Sequence, residues 1–398
     1  MDKDLIYFLN RVAILGDTSY GDCCVDEVAA EHLSSDGVIH FGNTCLTPTQ
    51  RLPVLFIFTR NTVDLAELVK KVNSVEGDRV FLFYDVRFDS FLREKTAEIC
   101  DAEPRLVLTQ CVAQPPEDDL YKAGRLLPTS DLPNEKDSIL YLGTNEKYCQ
   151  LLALTFNKIK SLRHFDPRTN VVSDPFPNIG KELMKRYFLI EKAKDAERIG
   201  ILVGTLGVSR FRNIIERVNT SIKKSGKKSY TFLVGKPNVP KLANFPEVDV
   251  YVMIACPENS IINSKDFMQP VITPFELDVA LNEGREWDGN FLANFHELLP
   301  GAEHFVEYEQ GDSEAGDVSL ISGKLRYTKI ENAVENGERA LLPQETTVAA
   351  IHEGGGGEFL SGKSWRGLEQ NLGETPVVKA EKGRKGIAFG YENEGTEN

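Results

Sequence analysis

Short, unbroken apolar runs alternate with helix-patterned windows between residues 12 and 273, and few folds accept that alternation. The runs that read as strands are 12–16, 37–41, 53–58, 79–84, 105–109, 138–142, 199–204, 229–234, 248–255 and 270–273. Several carry no apolar–polar alternation, as strands buried on both faces do. Between them lie windows with apolar residues at helical spacing, such as Val63 to Val72 and Ser209 to Val218. Strand–helix–strand order builds parallel sheets with right-handed crossovers and helices on the faces, so the fold class is α/β.

The runs fall into groups: 1–77, 78–198 ending in a charged helix from Lys181 to Arg198, and 199–299. From 300 to 398 glycine and glutamate become dense, including Gly354 to Gly357, and this stretch reads as a loosely packed tail. The chain has 398 residues and a formal net charge of −14. Its densest cationic stretch, Lys223-Lys224 with Lys227-Lys228, reads as a solvated helix end, so nucleic acid is not an expected partner. The opening residues Met1-Asp2-Lys3-Asp4 lack the pattern of a signal peptide, and no apolar stretch approaches the ~18 residues of a membrane span. A cytoplasmic protein is expected, and its seven cysteines point to metal, redox or catalytic use more than to disulfides.

The cysteines sit where strand-like runs stop. Cys23 and Cys24 follow the turn Tyr20-Gly21-Asp22, Cys45 follows the run ending at Phe41, and Cys256 precedes the strand-breaking Pro257. In open parallel sheets ligands bind beyond the carboxyl ends of the strands. Cys24, Cys45 and Cys256 are therefore candidate ligands that should converge, holding three irons of a four-iron cluster and leaving one open. Spacing leaves open whether Cys23 or Cys24 is the ligand. Cys100 and Cys111 read as core or incidental thiols, and Cys149 lies in a helix-patterned stretch that indicates packing. His40 reads as a core or supporting histidine.

Two glycine-rich stretches carry nucleotide-like patterns. Gly357 to Ser364 matches G-x-x-x-x-G-K-[ST], but no strand ending in an acidic residue follows it, so we read the match as accidental. Gly200 to Gly207 reads as a tight strand-to-helix turn, because its glycines begin inside the strand.

Gly16 to Glu27, His40 to Leu46, and Ile254 to Ser260 followed by Pro270 to Leu277 resemble the diphthamide biosynthesis family. The Pro257-Glu258-Asn259 and Thr273-Pro274-Phe275-Glu276-Leu277 details are similar to its eukaryotic second-subunit branch, and Lys363 to Glu369 is similar to that family's carboxyl-terminal motif. The resemblance implies three related Rossmann-like domains around a [4Fe-4S] cluster, with Cys24 favoured over Cys23 as ligand. It further implies a heterodimer with subunit 1 that moves a 3-amino-3-carboxypropyl group from S-adenosylmethionine to a histidine of elongation factor 2. This chain would carry an auxiliary cluster, fed by an electron-donor protein, that keeps the catalytic one reduced. In the alternative reading it is a structural scaffold without a redox role. The family's middle-domain cysteine has Thr144 in its place here, which implies a non-catalytic subunit. Only Met1 to Arg11 precede the first run, where the family has a further strand and helix, so the first domain is expected to be incomplete.

Overall fold

A computed structural model describes residues 11–16, 21–113, 120–262, 267–309, 317–323, 325–326, 386–387 and 390–391. The chain divides into two compact units, Met1–Val334 and Glu335–Asn398. In the second, the described residues form one antiparallel pairing of Gly386–Ile387 with Gly390–Tyr391. The nucleotide-like Gly357 to Ser364 and the motif from Lys363 to Glu369 lie outside the described residues.

The first unit is built on three parallel-dominated sheets. Strands β1 (Val38–Phe41) and β2 (Val54–Ile57) form a parallel pair. The second sheet contains β3 (Val80–Tyr84), β4 (Leu106–Leu108), β7 (Ser138–Leu142), β8 (Ser161–Asp166) and β9 (Val171–Ser173), in the order β4-β3-β7-β8-β9. A small hairpin of β5 (Tyr121–Lys122) and β6 (Arg125–Leu126) is bridged through Leu126 to Gln110, two residues beyond β4. The third sheet contains β10 (Arg198–Val203), β11 (Lys228–Leu233), β12 (Val250–Ile254) and β13 (Val271–Ile272), in the order β11-β10-β12-β13. Every ladder within these three sheets is parallel except β8 with β9. β3, β7 and β12 are buried at all five positions, as their apolar runs require, with Ser138 of β7 the one polar, non-aromatic side chain among them and its hydroxyl bonded to the Glu76 carbonyl.

Ten α-helices connect these strands among the described residues: α1 (Glu27–His32), α2 (Leu65–Asn73), α3 (Asp89–Glu94), α4 (Thr96–Ala102), α5 (Glu146–Thr155), α6 (Ile179–Asp195), α7 (Phe211–Lys224), α8 (Val239–Leu242), α9 (Pro257–Ser260) and α10 (Pro274–Leu281). Phe81, Phe83 and Ile139 of the second sheet and Ile199, Ile201 and Val252 of the third share one core with α5, α6, α7 and α10. The opposite faces close separate cores, one holding Leu82 and Leu140 and the other Leu202 and Tyr251.

Four details depart from the sequence reading. Val12 to Gly16 is not a strand: Ile14 is 92% exposed, and an apolar run with no neighbour to pair with gains nothing from extension. β8 and β9 went unpredicted because Ser161-Leu162-Arg163-His164-Phe165-Asp166 mixes charges into a half-buried strand. Lys227 is not solvated, since its Nζ donates to the carbonyls of Lys194 and Ala196 at the end of α6, and burial lowers it to about 8. Residues 301–309 also pack: Phe305 lies on Arg217, and Tyr308 meets the Ser225 hydroxyl.

Candidate metal centre

In the third sheet β10 leads to β11 on one side, while β12 and β13 lie on the other. The strand order therefore reverses between β10 and β12, where open α/β sheets place their ligand crevice. Cys256 stands there, two residues beyond β12 and fully buried. Pro257 then starts α9, so Cys256 occupies the residue position just before a short helix at the mouth of the crevice. Cys23 and Cys24 come from the turn before α1, closed by the Cys24 amide on the Gly21 carbonyl (3.0 Å). Cys45 lies in the loop after β1, and its amide donates to the Cys23 carbonyl (3.1 Å).

All four sulfurs lie within 4.8 Å of one another, and all four residues are buried. Cys23 is 3.7 Å from Cys256 and 3.9 Å from Cys24, while Cys24 is 4.0 Å from Cys45. The structure thus brings together the three thiols singled out from sequence and adds Cys23. Cys111 and Cys149 are packed in separate parts of the core, and burial pushes both up to about 12. Cys100 is half-buried on α4. His40 donates to, or accepts a proton shared with, nothing in this group; its Nε2 faces the Asn43 carbonyl (2.8 Å) and its ring meets Phe56 edge-on.

Polar groups converge on the sulfurs. The Asn259 Nδ2 donates to Cys23 (3.1 Å) and Cys256 (3.4 Å), and the Thr47 hydroxyl donates to Cys45 (3.2 Å). Hydrogen bonds from Cys23, then Cys24 and Cys256, hold the Cys45 thiol well below its ordinary value. Bonding to Cys24 and Cys256, with burial, raises Cys23. Four buried thiols this close can shed one proton readily and the rest only with a cation present. Glu258 on α9 accepts from the Asn145 carboxamide (3.2 Å); burial, then the Cys45 charge, push it up to about 8, so it adds little negative charge at neutral pH.

Asn259 and Glu258 escaped the sequence reading, although Cys256 and Asn259 are spaced to share one face of a helical turn. Gly207 explains the glycines after β10: a Cβ there would lie 2.4 Å from the Val25 carbonyl oxygen, so the loop can approach the cysteine turn only without a side chain. A cavity of about 120 Å³ opens beside Cys45, lined also by Thr47, Phe156 and Phe291, with the Lys122–Glu297 ion pair on its wall.

Residues 3–292 match the family model described as putative diphthamide synthesis protein. A protein named 2-(3-amino-3-carboxypropyl)histidine synthase subunit 2 from Danio rerio is 40% identical over 98% of this chain and 84% of its own length. Proteins of the same name from Xenopus laevis and Schizosaccharomyces pombe are 42% and 34% identical, over 96% and 97% of this chain and 83% and 82% of their own lengths. The crystal structure of Dph2 from Pyrococcus horikoshii with a 4Fe-4S cluster superposes with a TM-score of 0.53 at 20% identity, covering 72% of this chain and 84% of that one, a likeness of fold.

Proposed function

This chain belongs to the diphthamide synthesis family, and from that premise we propose that it serves as the iron–sulfur subunit of a 2-(3-amino-3-carboxypropyl)histidine synthase. The observation that carries the reading is the convergence of Cys23, Cys24, Cys45 and Cys256 from distant segments into one buried group. Thiolates are the donors that iron–sulfur clusters take. Cys24, Cys45 and Cys256 would hold the cluster, with Cys23 a fourth sulfur in reach. The group would supply one-electron transfer, here to keep the catalytic cluster of subunit 1 reduced. The chain's own residues bury the sulfurs, lend them N–H and O–H donors, and keep Glu258 neutral beside them. The complex would act on elongation factor 2 with S-adenosylmethionine in the cytoplasm, supplied by an electron-donor protein. No described helix is long and apolar enough to cross a membrane.

A second reading has its own support. Sulfurs around one tetrahedral ion at about 2.3 Å stand about 3.8 Å apart, close to the 3.7, 3.9 and 4.0 Å of three of the six sulfur pairs here, all of which lie within 4.8 Å. A single structural ion would pin the third sheet to the cysteine turn without redox chemistry, matching a scaffold role. Metal and acid-labile sulfide analysis of anaerobically purified chain separates the two. Iron and sulfide in near-equal amounts, lost in Cys256→Ala, support the cluster; one zinc per chain without sulfide overturns it.

A further inference from the structure

The Asn259 side chain does one thing in this structure. Its Nδ2 faces two of the four sulfurs, Cys23 at 3.1 Å and Cys256 at 3.4 Å. The opposite amide orientation would set a carbonyl oxygen against two prospective thiolates, so the donor end is the one that fits. Cys23 and Asn259 are 236 residues apart, and the chain is shaped to let them meet. A Cβ on Gly21 would lie 2.1 Å from this same nitrogen, so a glycine at the start of the cysteine turn clears the space the carboxamide occupies. On the other side of the group, Thr47 makes the matching contact to Cys45.

We infer that the Asn259 carboxamide is a positioning residue that sets the donor strength of Cys23 and Cys256 toward the metal they bind and, where that metal is redox-active, its reduction potential. A hydrogen bond draws electron density from a thiolate, which weakens its donation and favours the reduced metal. Gly21 belongs to the same device. The inference rests on the metal-binding reading but not on which metal is bound.

Full-length chain with Asn259→Leu, Asn259→Asp or Gly21→Ala tests it, each prepared anaerobically beside wild type. Two readouts are taken: the midpoint potential of the iron-containing protein, and the sulfur-to-cobalt charge-transfer band of protein stripped and reloaded with Co²⁺ alone. Asn259→Leu is expected to keep its metal, shift the potential more negative, and move the cobalt band to longer wavelength. Asn259→Asp, of the same shape but without the donor, should shift both further, and Gly21→Ala should shift them in the same direction by displacing the amide. Retained metal with unchanged potential and band would overturn the inference. So would complete loss of metal from Asn259→Leu, because the amide would then build the site instead of tuning it. A wild type lacking iron and sulfide whose cobalt band still shifts in Asn259→Leu rejects the cluster and upholds the inference.

Discussion

Thr144 accepts a 2.8 Å hydrogen bond from Arg87, whose same nitrogen lies 2.8 Å from the Asp85 carboxylate. These residues stand beyond the carboxyl ends of β3 and β7, where the order of the second sheet reverses. The crevice that offers Cys256 in the third sheet therefore offers an ion pair and a hydroxyl in the second. Asp85 is engaged further by the Tyr141 hydroxyl and the Thr144 amide.

This arrangement leads us to expect no transfer by the chain alone. Purified chain with S-adenosylmethionine, a strong reductant and elongation factor 2, but no partner subunit, should leave the histidine unmodified by mass spectrometry. Thr144→Cys should not change metal per chain, because Arg87 and Asp85 still occupy the crevice. Modification by the isolated chain would reassign it as catalytic.

Cys256→Ala should remove most of the metal while leaving the fold intact, since the residue lies past a strand end and the change deletes a single buried sulfur atom. Turnover of the two-subunit complex should then fall most when the reductant is weak and limiting, and recover largely with dithionite. Equal loss with either reductant would count against an auxiliary redox role.

Arg186 on α6 and Glu276 on α10 form a two-pronged pair at 2.5 Å, with both side chains buried. Glu276 also closes the capping box of α10 with Thr273. Arg186→Leu strands that carboxylate in the core and should cost about 3–5 kcal/mol. Urea unfolding reads the loss, and restoration of half or more by adding Glu276→Leu would identify the unpaired charge as its cause.

His296 donates from Nδ1 to the Asn294 side-chain oxygen (2.8 Å) and accepts at Nε2 from the Ser209 hydroxyl (2.9 Å), and burial lowers it from 6.5 to about 4. The unfolded chain takes up this proton below 6.5, whereas the folded chain resists it until about 4. Stability should thus be unaffected above 6.5 and be lost as pH falls, by about 3 kcal/mol at about 1.36 kcal/mol per pH unit. His296→Gln, which does not titrate there, should flatten this part of the stability–pH curve measured by denaturant unfolding.

Gly207→Ala should destabilise the chain by about 1–3 kcal/mol through forced displacement of backbone, because its nearest obstacle is the Val25 carbonyl and not a movable side chain. Metal content should fall with it, as Val25 adjoins Cys24.

The parallel sheets and the strand-end positions of Cys45 and Cys256 were legible because they follow from where apolar runs end, whereas the run Val12 to Gly16 that put Cys24 beside them is not a strand and the turn from Gly21 to Cys24 places it instead. Runs such as Val250 to Ile254 announce a doubly covered strand by composition alone. Ser161 to Asp166 does not, since its neighbours in space supply the burial that its own residues do not display. Cys23 stayed ambiguous for a different reason. Adjacent residues in an extended chain point apart, and only the turn from Gly21 to Cys24 aims both thiols inward. Asn259 was hidden because one of its two partners, Cys23, lies 236 residues away in sequence.

The Glu27 carboxylate, almost fully buried at the start of α1, accepts from three successive amides: Gln50 (3.3 Å), Arg51 (2.8 Å) and Leu52 (2.9 Å). It ties the turn that carries Cys23 and Cys24 to the loop that carries Cys45 through contacts local to one stretch of chain. Three sulfurs can therefore be gathered before β12 has formed, as a half-site awaiting its last member. Cys256 then arrives with a sheet whose closest parts are more than 140 residues further along, because β10 begins at Arg198. The complete four-sulfur site would therefore exist only in a chain whose third sheet has already met the cysteine turn, so that metal retention would report that long-range contact.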